Sequence, residues 1–331
     1  MKLNQEPGTL IFSGLIVLSV LLASFNYINS LTPKDEKDIQ FKLIQQYLVN
    51  NSSLAKSDKP ILWLHNDYEL NSRSWESFGS RNTNELNKPI IYLTVNSIII
   101  NNDKSFNICV IDDNSFNNLI PGWNIDLEKI STPNKEYYRN IAFLHLLYIY
   151  GGMTIPSSFL CFNNLIDIYN NFTKEDKFFV TECYPKSIFA DDVISVPCMK
   201  IIGSKKNNNN ILNLINIFEN HFTNSFTDES NFKGIISRFL INSIDNKNCK
   251  LVSGKLFGYF DKDNSPILQS DLITEKPIEF HDKYVGVEIP IDEIIKRKHH
   301  SWFANIDIDN LPDVNNNIGY LLKKIYCSNN Q

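Results

Sequence analysis

Wholly apolar runs alternate along this chain with longer stretches of helical periodicity. Pro60-Ile61-Leu62-Trp63-Leu64-His65 is an apolar run behind a proline and predicts a buried strand. Phe106-Asn107-Ile108-Cys109-Val110-Ile111 predicts a second strand, stopped by Asp112-Asp113-Asn114-Ser115. Between them, Pro89 to Ile100 (PIIYLTVNSIII) predicts a helix packed between the two strands. Apolar strands alternating with helices of that length imply βαβ units and a parallel sheet.

A further helix is predicted over Lys135 to Tyr150, with Ile141, Leu144, Leu147 and Tyr148 on one face. It ends at Gly151-Gly152, a C-terminal glycine stop. Met153 to Cys161 reads as an apolar strand interrupted by a polar turn, and Phe178–Thr181 and Lys200–Gly203 as more strands. Ile211 to Phe222 and Phe232 to Ile244 predict amphipathic helices, and the C-terminal third mixes short strands with a helix near Ile291 to Lys298. The expected fold class is α/β, a mixed and mostly parallel sheet flanked by helices.

Ahead of this body, Thr9 to Phe25 (TLIFSGLIVLSVLLASF) carries no charge. At helical rise it covers roughly 25 Å, at the short end of a bilayer span. A cleaved signal peptide would need small residues one and three places before the cut. Leu21 with Ala23, and Leu22 with Ser24, each place a bulky residue there, so the run reads as a retained single-pass signal-anchor. The expected organisation is a membrane anchor over 1–26, a linker with an amphipathic helix over 27–59, and one folded domain over 60–331. Basic residues flank the run on both sides, Lys2 before it and Lys34 and Lys37 after it, and leave the orientation open. Asn50-Asn51-Ser52, Asn51-Ser52-Ser53 and Asn171-Phe172-Thr173 match the N-glycosylation pattern and lean towards a luminal or extracytoplasmic body.

Charge narrows the function classes. A net charge of -5 with no basic run longer than Lys296-Arg297-Lys298 argues against a nucleic-acid partner. The six cysteines contain no C-x-x-C pair, which removes a zinc ribbon. Cys109 and Cys161 sit in apolar runs as core residues, and the others leave a disulfide open. The 44 asparagines, some in runs such as Asn207 to Asn210 and Asn315 to Asn317, are expected in exposed loops. Glycine-rich phosphate loops, a G-x-S-x-G elbow and H-E-x-x-H are all absent, which weakens NTPase, dehydrogenase, hydrolase and zinc-protease readings.

The helix–Tyr150-Gly151-Gly152–strand unit, with Met153-Thr154-Ile155 as the strand, resembles the signature of family 32-type glycosyltransferases and related capsular-polysaccharide-synthesis proteins. The strand ending in Asp112-Asp113 resembles that family's second strand. The resemblance covers roughly Pro60 to Leu165. It implies a GT-A-like fold, a nucleotide sugar as donor, a glycan acceptor and, if catalysis is retained, a hexosyltransferase. The departures are specific. The aspartates of the family's Asp-x-Asp fall at Pro156 and Ser158, its helix-start Asp at Asn140 and its helix Arg at Phe143. A hard divalent cation wants carboxylate oxygens, and proline offers no side-chain ligand. The metal is therefore doubtful, and no cofactor is expected beyond the nucleotide sugar.

Four residues are the candidate nucleotide-sugar contacts. Arg139 is either a direct diphosphate contact or an exposed arginine near the helix start. Asp112 and Asp113 either supply carboxylates at a strand end or cap a turn. His65 ends the first strand, where the resembled family often contacts base or ribose. Asp191-Asp192, His299-His300 beside Trp302, and the loop Asn71 to Arg81 are weaker candidates, and His145 reads as a core histidine. Three functions follow: a degenerate sugar-nucleotide-binding or scaffold module on a membrane, an active metal-independent glycosyltransferase, or an unrelated membrane-anchored structural protein.

Overall fold

The computed structural model describes residues 59–66, 89–184, 196–224, 229–296, 300, 302–303 and 306–326. The anchor run 9–25, the linker helix, the loop Asn71 to Arg81, Asp191-Asp192 and His299 lie outside them. No helix among the described residues is long and apolar enough to cross a membrane.

The first strand, β1 (Ile61–His65), buries both faces: Ile61 and Trp63 join one apolar cluster, Leu62 and Leu64 the other. That is the alternation of a central strand covered on both sides. Helix α1 (Pro89–Asn102) crosses over to β2 (Asn107–Ile111), which pairs parallel to β1 with Ile61 opposite Asn107. A short helix α2 (Ser115–Leu119) and a 3-10 turn lead to α3 (Thr132–Tyr150). Its Ile141, Leu144 and Leu147 are buried as the periodicity predicts.

Helix α3 ends on Gly151, at φ 73°, whose N–H donates to Leu147. Strand β3 (Gly152–Pro156) then runs parallel to β1 on the side opposite β2. The apolar run continues as β4 (Phe159–Cys161), but not in the same sheet: the turn between them redirects β4 to pair antiparallel with β8 (Gly286–Glu288).

The remaining strands are β5 (Phe178–Cys183), β6 (Val196–Ser204) and β7 (Cys249–Val252), in a six-stranded order β2-β1-β3-β6-β5-β7. Five run one way and β6 runs against them, its neighbours β3 and β5 both antiparallel to it. The sheet is thus mixed and mostly parallel. Helices α3, α5 (Asn209–Asn224) and α6 (Glu229–Asp245) cover one face. Helices α1 and α4 (Ile166–Phe172) cover the other. The two-stranded β4–β8 sheet builds a third cluster with α8 (Ile291–Lys296) and α9 (Asn317–Tyr326), after the short α7 (Gln269–Ile273).

Several asparagines depart from the expectation of exposed loops. Asn208 is buried, donates to the Asp176 carbonyl and accepts from the backbone of Asn210 at the start of α5. Buried Asn317 donates to the carbonyls of Asp271, Thr274 and Lys276. His145 also departs from its reading: it is part-exposed on α3, facing Glu219 of α5 at 3.3 Å and the edge of Trp123.

Cys183 and Cys198 form a disulfide across β5 and β6, while Cys109, Cys161 and Cys249 are buried free thiols. The bridge closes a sequence separation of 15. Replacing both cysteines with serine is expected to cost about 2–3 kcal/mol of unfolding free energy, read by urea denaturation with and without reductant. Reductant should then no longer shift the midpoint of the double variant.

Candidate functional site

Strand β1 pairs with β2 on one side and with β3 on the other, so the chain reverses its direction of winding there. In open α/β sheets, ligands sit outside the carboxyl ends of the strands at such a switch point. His65 ends β1, Asp112 and Asp113 follow β2, and Pro156 ends β3. Arg139 lies on α3, the helix that carries the chain from β2 to β3.

Three of the four candidate contacts converge. Arg139 grips Asp113 through two hydrogen bonds, Nε to Oδ1 at 2.7 Å and a terminal nitrogen to Oδ2 at 2.6 Å. His65 Nε2 meets Asp113 Oδ1 at 2.9 Å. The His65 ring stacks on Phe116 at 5.9 Å and meets Phe143 edge-on at 5.8 Å. Burial by itself would raise the Asp113 pKa; hydrogen bonds from His65 and Arg139, then their charges, outweigh it and hold the carboxyl well below its usual range.

Asp112 stands apart from this cluster. Its Oδ1 accepts from the Ser115 backbone N–H at 2.8 Å and from the Ser115 hydroxyl at 2.5 Å. The turn into α2 thus takes Asp112, while the neighbouring Asp113 turns to the site.

A half-open cleft opens beside His65, with about 490 Å³ of space including its mouth. It exists because β3 and β6 part company. Their ladder pairs Gly152 with Ser204 and Met153 with Gly203. At the next position the Thr154 hydroxyl accepts from the Ile202 N–H at 3.2 Å. Ile155 and Pro156 form one wall, Met199 and Lys200 the other, and Asn140, Phe143 and Leu144 of α3 close it. Phe143 and Asn140, standing where the resembled family has an Arg and an Asp, both face this space.

Among the described residues the donor set does not suit a divalent metal. Pro156 and Asn140 present no carboxylate, Asp112 is held in its turn and Asp113 is tied to a guanidinium. Among the described residues no group of three or more His, Cys, Asp or Glu side chains is placed to hold a metal ion.

Sequence reasoning missed a second polar cluster, built on Lys200 of the cleft lining. Lys200 of β6 forms an ion pair with Glu288 at the end of β8, Nζ to Oε1 at 2.5 Å. The Tyr259 hydroxyl donates to Glu288 Oε2 at 2.5 Å. Glu288 pairs with Phe159, directly after the turn that carries Ser158. A lone carboxylate in Gly286-Val287-Glu288-Ile289-Pro290 is the signal that could have found it, since a charge buried among apolar neighbours needs a partner.

No family model matches the chain. No curated protein matches it either. Among solved structures it is similar to one described as "PaToxG Glycosyltransferase", at 16% identity over 62% of this chain and 79% of that one, with a TM-score of 0.33. A likeness that distant fixes neither fold nor activity.

Proposed function

We propose that the chain is a glycosyltransferase-like protein whose strand-end cleft binds a nucleotide sugar without turning it over. One observation carries the reading. The helix–Gly151-Gly152–strand unit and a polar cluster at the switch point are present, yet Pro156 stands at the cleft where the resembled family has a metal-binding carboxylate. Expelling a diphosphate leaving group requires cationic stabilisation in the transition state. Arg139, the first candidate for that work, is committed to Asp113. Fold and chemistry separate readily when a site is lost and its core is kept.

The reading includes a membrane tether through residues 9–25, a linker up to residue 59 and a luminal or extracytoplasmic body. The Cys183–Cys198 disulfide favours that side, because disulfides persist in oxidising compartments. A second reading, a metal-independent transferase acting on a glycan acceptor, is favoured by Lys200, a cation on the cleft wall.

The test is to incubate the full chain in detergent with UDP-, GDP- and CMP-sugars, with Mn²⁺ or with chelator. One donor should raise the melting temperature, since a ligand at a hundredfold excess over its Kd adds about 2.7 kcal/mol. That donor should be recovered intact by mass spectrometry. Hydrolysis or transfer without metal would favour the second reading, and no shift with any donor would refute both.

A further inference from the structure

Among the described residues, Lys200 is the one lysine or arginine in the lining of the cleft. It is about two-fifths exposed, whereas its partner Glu288 is only 10% exposed. The pair is therefore asymmetric: the glutamate side chain is mostly buried and the lysine side chain is partly exposed. An ammonium has three N–H donors. One goes to Glu288, and the Lys200 Nζ also lies 5.7 Å from the Tyr259 ring centroid.

Glu288 does not depend on Lys200 alone. Tyr259 donates to its second oxygen, and burial followed by the Glu288 charge holds the tyrosine hydroxyl well above its usual pKa, so it stays a donor. If Lys200 turns partly towards a ligand, the buried carboxylate keeps a short hydrogen bond. A residue of the cleft lining thus carries a cation that can move without stranding its counter-ion. It also stands near the turn of Pro156 and Ser158, because Glu288 pairs with the residue that follows Ser158.

We propose that Lys200 is the contact for the diphosphate of the bound nucleotide sugar, with Glu288, held by Tyr259, as the counter-ion that competes for it. This rests on nucleotide-sugar binding, which both readings above share, and adds to it the residue that meets the anionic part of the ligand. The ion pair sets the affinity by competition: Glu288 and the diphosphate share one ammonium. Removing the negative competitor and removing the cation must then have opposite effects on binding.

The experiment is a titration of the full chain and three variants with the preferred nucleotide sugar, with its free nucleoside diphosphate, and with inorganic pyrophosphate. Lys200→Met is expected to weaken nucleoside-diphosphate binding about tenfold or more, the usual loss for a hydrogen bond to a charged group. Lys200→Arg should keep most of the affinity. Glu288→Gln should tighten binding several-fold, because its amide carbonyl still accepts from Tyr259 while the lysine charge is released. Melting temperatures of the unliganded variants separate folding from binding; if Lys200→Met does not fold, the opposite sign expected of Glu288→Gln still decides. Unchanged affinity in Lys200→Met, or weaker binding in Glu288→Gln by a variant that is folded, overturns the assignment while nucleotide binding by the native chain stands. A native chain that binds none of the three ligands removes the nucleotide-sugar reading and this assignment together.

Discussion

Gly152→Ala is expected to destabilise the chain severely. Gly152 opens β3 at φ 100°, a backbone conformation that residues with a Cβ rarely adopt. A Cβ there would lie 2.1 Å from the carbonyl oxygen of Ile61, at the start of the β1–β3 ladder near the centre of the sheet. Backbone cannot step aside as a flexible side chain can, so β1 and β3 would have to separate. The loss should reach about 4 kcal/mol or more, against a total stability of about 5–15 kcal/mol for an ordinary domain. Urea denaturation followed by far-ultraviolet circular dichroism reads it directly. A fully folded Gly152→Ala variant of native stability would contradict the close approach of the two strands. Gly151 serves differently, as the residue at φ 73° that terminates α3.

The second large effect belongs to Asp113→Ala. The Arg139 and Asp113 side chains are 17% and 18% exposed, and the carboxylate holds both the guanidinium and His65. Removing the carboxylate takes from Arg139 and His65 the partner they share, at a cost of about 3 kcal/mol. Adding Arg139→Met to that variant should cost less than the two single changes summed, since the coupling between the two side chains is then lost only once. The pH dependence follows in sign. A carboxyl whose pKa is lowered by folding takes up a proton more readily in the unfolded chain. Its contribution is therefore fully present above the ordinary aspartate pKa of about 4 and is lost as pH falls below that. Asp113→Ala should be much less acid-sensitive than the native chain between pH 4 and the more acidic range. An equally steep acid loss in both would place the sensitivity elsewhere.

The parts of the fold legible in the sequence are those where one local pattern decides the outcome. Continuous apolar runs gave β1 and β2 within a residue of their ends, because a strand buried on both faces has no polar alternation to confuse it. The glycine stop marked the end of α3 because the positive φ of its cap favours glycine at that point. Pairing was not legible. Nothing in Val196 to Ser204 distinguishes an antiparallel strand from a parallel one, and the turn at Ser157-Ser158 gives no sign that β4 leaves the main sheet.

The candidate site divides in the same way. Strand ends identified His65 and the Asp112-Asp113 pair, but not which aspartate faces the site. That choice is made by Ser115, three residues on, which engages Asp112 and leaves Asp113 for Arg139. Arg139 was placed correctly on α3, yet its bidentate bond to Asp113 is a tertiary contact that no local pattern records. Lys200 and Glu288 are 88 residues apart and meet only because β6 and the β4–β8 sheet converge on the cleft. The asparagines mislead through composition: abundance hides the few, such as Asn208 and Asn317, that satisfy buried backbone groups.

Calorimetric titration of the full chain with the nucleotide sugar that most raises its melting temperature, once with chelator and once with Mn²⁺, tests the central claim most directly. Saturable one-site binding with the same Kd in both buffers is the expected result, because no described residue of the cleft provides the carboxylates a divalent cation would need. Binding that appears only with Mn²⁺ would contradict the account, and so would the absence of binding in either buffer.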